Sequence, residues 1–151
     1  MSDPIVYQPG EGTRTFDFGG GMEGRTLNAP EDTNNTYSLA EWTLVDDVPA
    51  PPLHTHTKIS ETVMILEGEI ELTDGTQVIH GRPGVAVTVK PGTPHGFLKQ
   101  LTKKVRLVTV QSPADLSELT YEAMQEAARL GDDLPKIVEI LAAADTHIVG
   151  A

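Results

Sequence analysis

Between residues 13 and 111 the chain is cut into short β-branched or apolar runs by turn residues at near-regular spacing, and this punctuation most constrains its fold. Residues 13–18 read as a strand broken by Gly19, Gly20 and Gly21. Residues 37–45 alternate, with Ala40, Trp42 and Leu44 on one face. The Pro49-Ala50-Pro51-Pro52 cluster then stops regular pairing, because proline donates no hydrogen bond to a ladder. Residues 62–66 form an apolar run closed by Glu67-Gly68. Residues 69–73 and 76–80 flank Asp74-Gly75, which predicts a hairpin with a type I′ turn. Residues 85–89, 95–98 and 105–111 complete the set, separated by Gly81-Arg82-Pro83-Gly84 and by Lys90-Pro91-Gly92-Thr93-Pro94. This pattern implies an all-β antiparallel barrel or jelly roll.

From Ser112 onward the texture is helical. Ser112 is placed to cap a helix, Pro113 suits its first position and Asp115 suits a reciprocal cap. Leu116, Leu119, Ala123, Ala127 and Leu130 form the expected buried stripe, and Gly131 the stop. A second short helix is expected over residues 135–144, with Ile137, Ile140 and Leu141 inward. The organisation is therefore a β-barrel over residues 1–111 and a helical extension over 112–151. That extension is expected to pack on the barrel or on a partner subunit.

Composition excludes several chemistries. The 151 residues include no cysteine, so disulfides, thiolate metal sites and cysteine nucleophiles are ruled out. Eleven basic residues against 22 acidic ones give a formal net charge of −11, which opposes a nucleic-acid partner. No apolar run approaches the roughly 20 residues of a membrane helix, so no membrane partner is expected. The N-terminus has neither a basic start nor an apolar core, and the cytoplasm is the expected compartment. Gly19-x-Gly21-x-x-Gly24 formally matches a dinucleotide fingerprint, but residues 25–30 carry no helical period to receive a pyrophosphate, so a plain loop is expected.

The chemistry concentrates in histidine. In His54-Thr55-His56, positions i and i+2 of a strand point to one side, so both rings enter one space. Glu61 follows on the next run, with Val63 and Ile65 continuing its parity. His95 follows a proline-bracketed turn on a later strand that can face the first across a barrel. Three imidazoles and one carboxylate suit a divalent Fe, Mn, Ni, Co, Cu or Zn ion. His80 and His147 read as surface histidines, His147 without a partner. Trp42, Met64 and Phe97 are the candidates to line a substrate pocket.

His54-x-His56-x4-Glu61-x6-Gly68 resembles the first motif of the cupin superfamily, and Gly84-x7-Gly92-Thr93-Pro94-His95 resembles the second. The likeness spans about residues 37–111. Three positions depart from the family pattern: Val48, Lys90 and Lys99 stand where a glycine, a proline and an asparagine are usual. The resemblance implies a small, often dimeric barrel with one metal ion held by His54, His56, Glu61 and His95. It points to a quercetinase-like dioxygenase using iron, with a small aromatic or polyketide-like substrate and a homodimeric assembly. Glu61 is then either a ligand alone or also the catalytic base. The alternatives are a Lewis-acid isomerase, lyase, hydrolase or cyclase, and a small-molecule binding module without turnover.

Overall fold

The computed structural model describes residues 3–151. The strands are β1 (Arg14–Gly19), β2 (Met22–Thr26), β3 (Ser38–Val45), β4 (His54–Thr55), β5 (Ser60–Glu67), β6 (Ile70–Thr73), β7 (Val78–Gly81), β8 (Ala86–Val89), β9 (Gly96–Gln100) and β10 (Lys104–Ser112). Two helices follow, α1 (Ala114–Arg129) and α2 (Leu134–Ala143), and then β11 (His147–Ile148). All strand pairs are antiparallel. One sheet runs β1-β2-β3-β10-β5-β8, a second runs β7-β6-β9, and β11 pairs with β4. This is the expected all-β jelly roll with a helical appendage.

Strand β10 organises the large sheet, because it pairs with β3 on one side and β5 on the other. Its inward residues Val105, Leu107, Thr109 and Gln111 are all buried. On β3, Ser38, Ala40, Trp42 and Leu44 face inward as their alternation predicts. Phe16, Trp42, Leu44, Ile65, Ile70, Val105 and Tyr121 form the core. Its aromatic part is continuous: Phe18 stacks on Trp42 at 4.7 Å, and Trp42 meets Tyr121 edge-on at 4.9 Å.

Four expectations are corrected. The loop around Asp74-Gly75 is not a two-residue type I′ turn. Thr73 pairs with Val78, which leaves four loop residues, and Gly75 alone among them has positive φ. The turn is built instead on the Asp74 carboxylate, whose Oδ1 accepts from the amides of Thr76 and Gln77. Second, Gly19-Gly20-Gly21 is the bend of a β1–β2 hairpin, with a second strand that the sequence pattern did not predict. A side chain on Gly24 would strike the Trp42 ring, so the glycine is required by close packing.

Third, α1 begins at Ala114. Ser112 belongs to β10, and the Asn35 Oδ1 accepts from the Asp115 amide across 80 residues of sequence. Fourth, the buried face of α1 is Ala114, Ser117, Thr120, Tyr121 and Ala123, while Leu119 is half exposed. The polar members are satisfied individually: Ser117 donates to Gln111 Oε1 at 2.7 Å and Thr120 donates to the Ala144 carbonyl at 2.7 Å. Helix α2 follows expectation, with Leu141 buried and Ile137 and Ile140 packed beside it. Asp133 caps its first turn. Among the described residues, no helix is long and apolar enough to cross a membrane.

Candidate metal centre

Of the first histidine pair, His54 stands on a two-residue strand and His56 directly follows it. Strand β4 is held on one side by β11, with Thr55 opposite His147 and His54 opposite Ile148. On the other side His54 and His95 exchange backbone hydrogen bonds of 3.2 and 2.9 Å. The His56 carbonyl then accepts from the Gly92 amide at 2.6 Å, where Gly92 has a φ of 85°. The turn before His95 is thereby docked onto the segment carrying His54 and His56. Glu61 arrives separately on β5, opposite Val89 of β8 and Gln111 of β10.

The three rings converge. Their centroids lie 4.4 to 5.3 Å apart, and one potential ligand atom from each lies within 4.8 Å of the others. Each Nδ1 faces a backbone carbonyl: His54 to Pro52 at 2.9 Å, His56 to Asp145 at 2.9 Å, and His95 to Thr93 at 3.0 Å. A carbonyl can only accept, so Nδ1 carries the proton in all three rings and Nε2 keeps its lone pair. Glu61 Oε2 then lies 3.2 Å from His95 Nε2 and 3.5 Å from His56 Nε2. Lone pairs facing a carboxylate repel unless a cation or a proton stands between them.

That arrangement fits a metal ion. His95 Nε2 is buried and has no hydrogen-bond partner. The three imidazole nitrogens gather as ligands for a divalent first-row metal, with Glu61 Oε2 beside two of them. The carbonyl acceptors behind the rings are the outer contacts that orient such ligands. The site's own charges hold one another. Burial pushes His95 down, but the Glu61 carboxylate outweighs it and the net shift is upward. Burial, aided by the neighbouring His95, lowers His54 to about 4. Burial would raise Glu61, but contacts from His56 and His95 hold it well below the usual carboxylate range.

The site opens into a largely apolar cavity of about 630 Å³. Trp42 and Phe97 line it, together with Phe18, Val63 and Tyr121. Met64 does not line it. It lies on the face of β5 opposite Glu61 and Val63, and is 38% exposed. Strand alternation puts every second residue of β5 outside, and Met64 has the outward parity. Lys99 also points outward, 4.0 Å from Glu71, and His80 pairs with Glu69 on the surface at 2.8 Å.

Two groups of residues were not visible in the sequence. One is the polar bridge in the cavity wall: Trp42 Nε1 donates to Thr109 Oγ1 at 3.0 Å, and Thr109 shares a 2.9 Å hydrogen bond with Tyr121. Burial holds the Tyr121 hydroxyl well above its ordinary value, reinforced by the Glu61 charge, so it is neutral. The other is the C-terminal segment. His147 is not a lone tail residue: it sits on β11, and its Nε2 lies 3.4 Å from Asp145 Oδ1. Asp145 is buried. Burial would raise its carboxyl, but hydrogen bonds from the Thr57 hydroxyl and the amides of Thr57, Lys58 and Ile59 hold it at about 2.

Residues 42–111 match the family described as a cupin domain. Over those residues the chain has the cupin fold. Solved structures share that fold over two thirds to three quarters of the chain. An RmlC-like cupin from Shewanella frigidimarina NCIMB 400 is 22% identical, covering 75% of this chain and 93% of that one, with a TM-score of 0.60. KdgF from Halomonas sp. is 15% identical, covering 66% and 87%, with a TM-score of 0.58. The polyketide cyclase RemF from Streptomyces resistomycificus is 20% identical, covering 69% and 83%, with a TM-score of 0.52. No curated protein matches the chain. At these identities the likeness is one of fold, and the reaction has to be argued from the site.

Proposed function

We propose that this cupin is a metal-dependent oxygenase that acts on a small, largely apolar, ring-bearing substrate. The observation that carries the reading is the orphaned His95 Nε2, buried beside His54, His56 and Glu61 at the wall of an apolar cavity of about 630 Å³. His54, His56, His95 and Glu61 would hold the ion, with iron the first expectation. When bound, such an ion with open positions supplies activation of dioxygen and of a substrate oxygen. The chain supplies the rest. Phe18, Trp42, Phe97 and Tyr121 offer flat apolar walls that bury a planar substrate and exclude water. The Trp42–Thr109–Tyr121 bridge keeps that wall rigid.

A redox-neutral reaction is the second reading, and Glu61 favours it. Glu61 lines the cavity beside the His56 and His95 rings, so its carboxylate is placed to accept a proton from a bound substrate at Oε2. The test combines elemental analysis of the purified protein with turnover of candidate phenolic and polyketide-like substrates. Substrate-dependent O2 uptake supported by iron or nickel is the expected result. Turnover without oxygen, supported by zinc or manganese, replaces the oxygenase by a Lewis-acid enzyme. A ligand that binds and leaves unchanged makes the protein a binding module. Glu61→Gln separates the roles of the carboxylate: loss of metal marks a ligand, whereas retained metal with lost turnover marks a proton-transfer group.

A further inference from the structure

The C-terminal segment 144–149 lies against the metal centre from outside the barrel, and its contacts are directed at His54 and His56. The Asp145 carbonyl accepts from His56 Nδ1 at 2.9 Å, and Thr146 Oγ1 lies 3.3 Å from the same nitrogen. The Asp145 carboxylate grips the turn that follows His56. Oδ1 accepts from the Thr57 amide at 2.9 Å and from the Thr57 hydroxyl, and Oδ2 accepts from the amides of Lys58 and Ile59 at 2.8 and 3.1 Å. Asp145 adopts a φ of 55°, a left-handed conformation that aspartate tolerates better than most residues. That conformation lets one residue present both its carbonyl and its carboxylate to one segment. Beyond it, β11 supplies the outer neighbour of β4, and the Val149 amide donates to the Leu53 carbonyl at 2.9 Å.

The segment is itself pinned to both helices. Thr120 of α1 donates to the Ala144 carbonyl at 2.7 Å, and the Thr146 amide donates to the Leu141 carbonyl at 2.9 Å. The path from helix to ligand is therefore continuous and hydrogen-bonded throughout.

We infer that Asp145 and Thr146 are positioning residues of the metal centre: they fix the His56 ring and the 54–59 segment, so that the helical extension completes a site whose ligands all lie in the barrel. The inference rests on the metal-binding reading above. Losing an outer hydrogen bond to a ligating histidine weakens metal binding by about 10–100-fold. Asp145→Asn is the direct test. The amide nitrogen must face either the Thr57 donors or the Lys58 and Ile59 amides, so the grip opens without a change of volume. Thr146→Val removes only the hydroxyl beside His56 and serves where the first variant folds poorly.

The measurement is titration of the full metal-free chain with Co2+ in competition with a chelator, followed by the visible absorption of the bound ion. Thermal melting of each metal-free variant is recorded beside it. Wild type is expected to take up one equivalent. Asp145→Asn is expected to bind about 10–100-fold more weakly, with a changed absorption band, and Thr146→Val several-fold more weakly. Wild-type affinity and spectrum in both variants, with only a lowered melting temperature, would mean that the segment is merely structural and would overturn the inference. A wild-type chain that takes up no Co2+ removes the metal reading itself, and this inference with it.

Discussion

At the residue scale, the strongest commitments are made by buried polar atoms. His54 and His95 hydrogen-bond to carbonyls through Nδ1 and to each other's backbone, so the barrel does not depend on their Nε2 atoms. His54→Ala and His95→Ala are therefore each expected to lose most of the bound metal while the metal-free protein keeps its fold. Metal content and circular dichroism check this; collapse of both variants would mark the rings as structural. Thr109 makes the opposite case. Its hydroxyl accepts from Trp42 and shares a hydrogen bond with Tyr121 in a buried wall. Thr109→Val keeps the shape but strands an indole N–H and a phenol, and is expected to cost about 1–3 kcal/mol in denaturant unfolding. No measurable cost would mean that water reaches both groups.

At the element scale, the outer face of the large sheet is laced by charge. Glu41 on β3 accepts from Arg25 of β2 at 3.1 Å and from Arg106 of β10 at 2.7 Å, tying three adjacent strands. The Arg106 hydrogen bond is the largest influence on Glu41 and, with Arg25, outweighs burial to hold its carboxyl below the ordinary 4.5. The folded value lies below the unfolded one, so the contribution is complete above the ordinary value and is lost as pH falls through the folded one. Glu41→Gln is expected to destabilise the protein at pH 7 by no more than about 1 kcal/mol. The difference from wild type is expected to shrink below pH 4.5, and pH-dependent melting of the two proteins reads it. A difference that persists at low pH would assign the effect to packing.

This scale also separates what the sequence reveals from what it hides. The alternation of Ala40, Trp42 and Leu44 is legible because burial follows a period of two. The His54 and His56 pair is legible because positions i and i+2 of an extended segment project to one side. The α1 face is not, because Ser117 and Thr120 are buried by way of single partners on other elements, and hydropathy cannot see a hydrogen bond. Met64 fails for a simpler reason: an apolar residue is also allowed on the exposed side of a strand. Asp145 is hidden altogether, since its role lies in the turn 57–59, about ninety residues earlier in the chain.

At the scale of the whole molecule, the candidate metal centre joins parts of the fold that otherwise meet little. His54 and His56 come from the short β4 and the turn after it, Glu61 from the large sheet, His95 from the turn before the small sheet, and the outer support from beyond α2. An ion at that point binds only the folded chain, so it adds stability by mass action, about 2.7 kcal/mol at a free concentration one hundred times its dissociation constant. Stripping the ion with a chelator is therefore expected to lower the melting temperature and to leave the secondary structure intact. The loss is expected to be local as well. Amide exchange should quicken around residues 53–59, 92–95 and 144–149, where main-chain pairing is sparse. The β3–β10–β5 centre should stay protected, because eight register pairs join β10 to β3 and seven join it to β5. Faster exchange spread evenly over the large sheet would show that the ion supports the barrel as a whole, and that the site is a structural clamp and not a functional centre set into a self-sufficient fold.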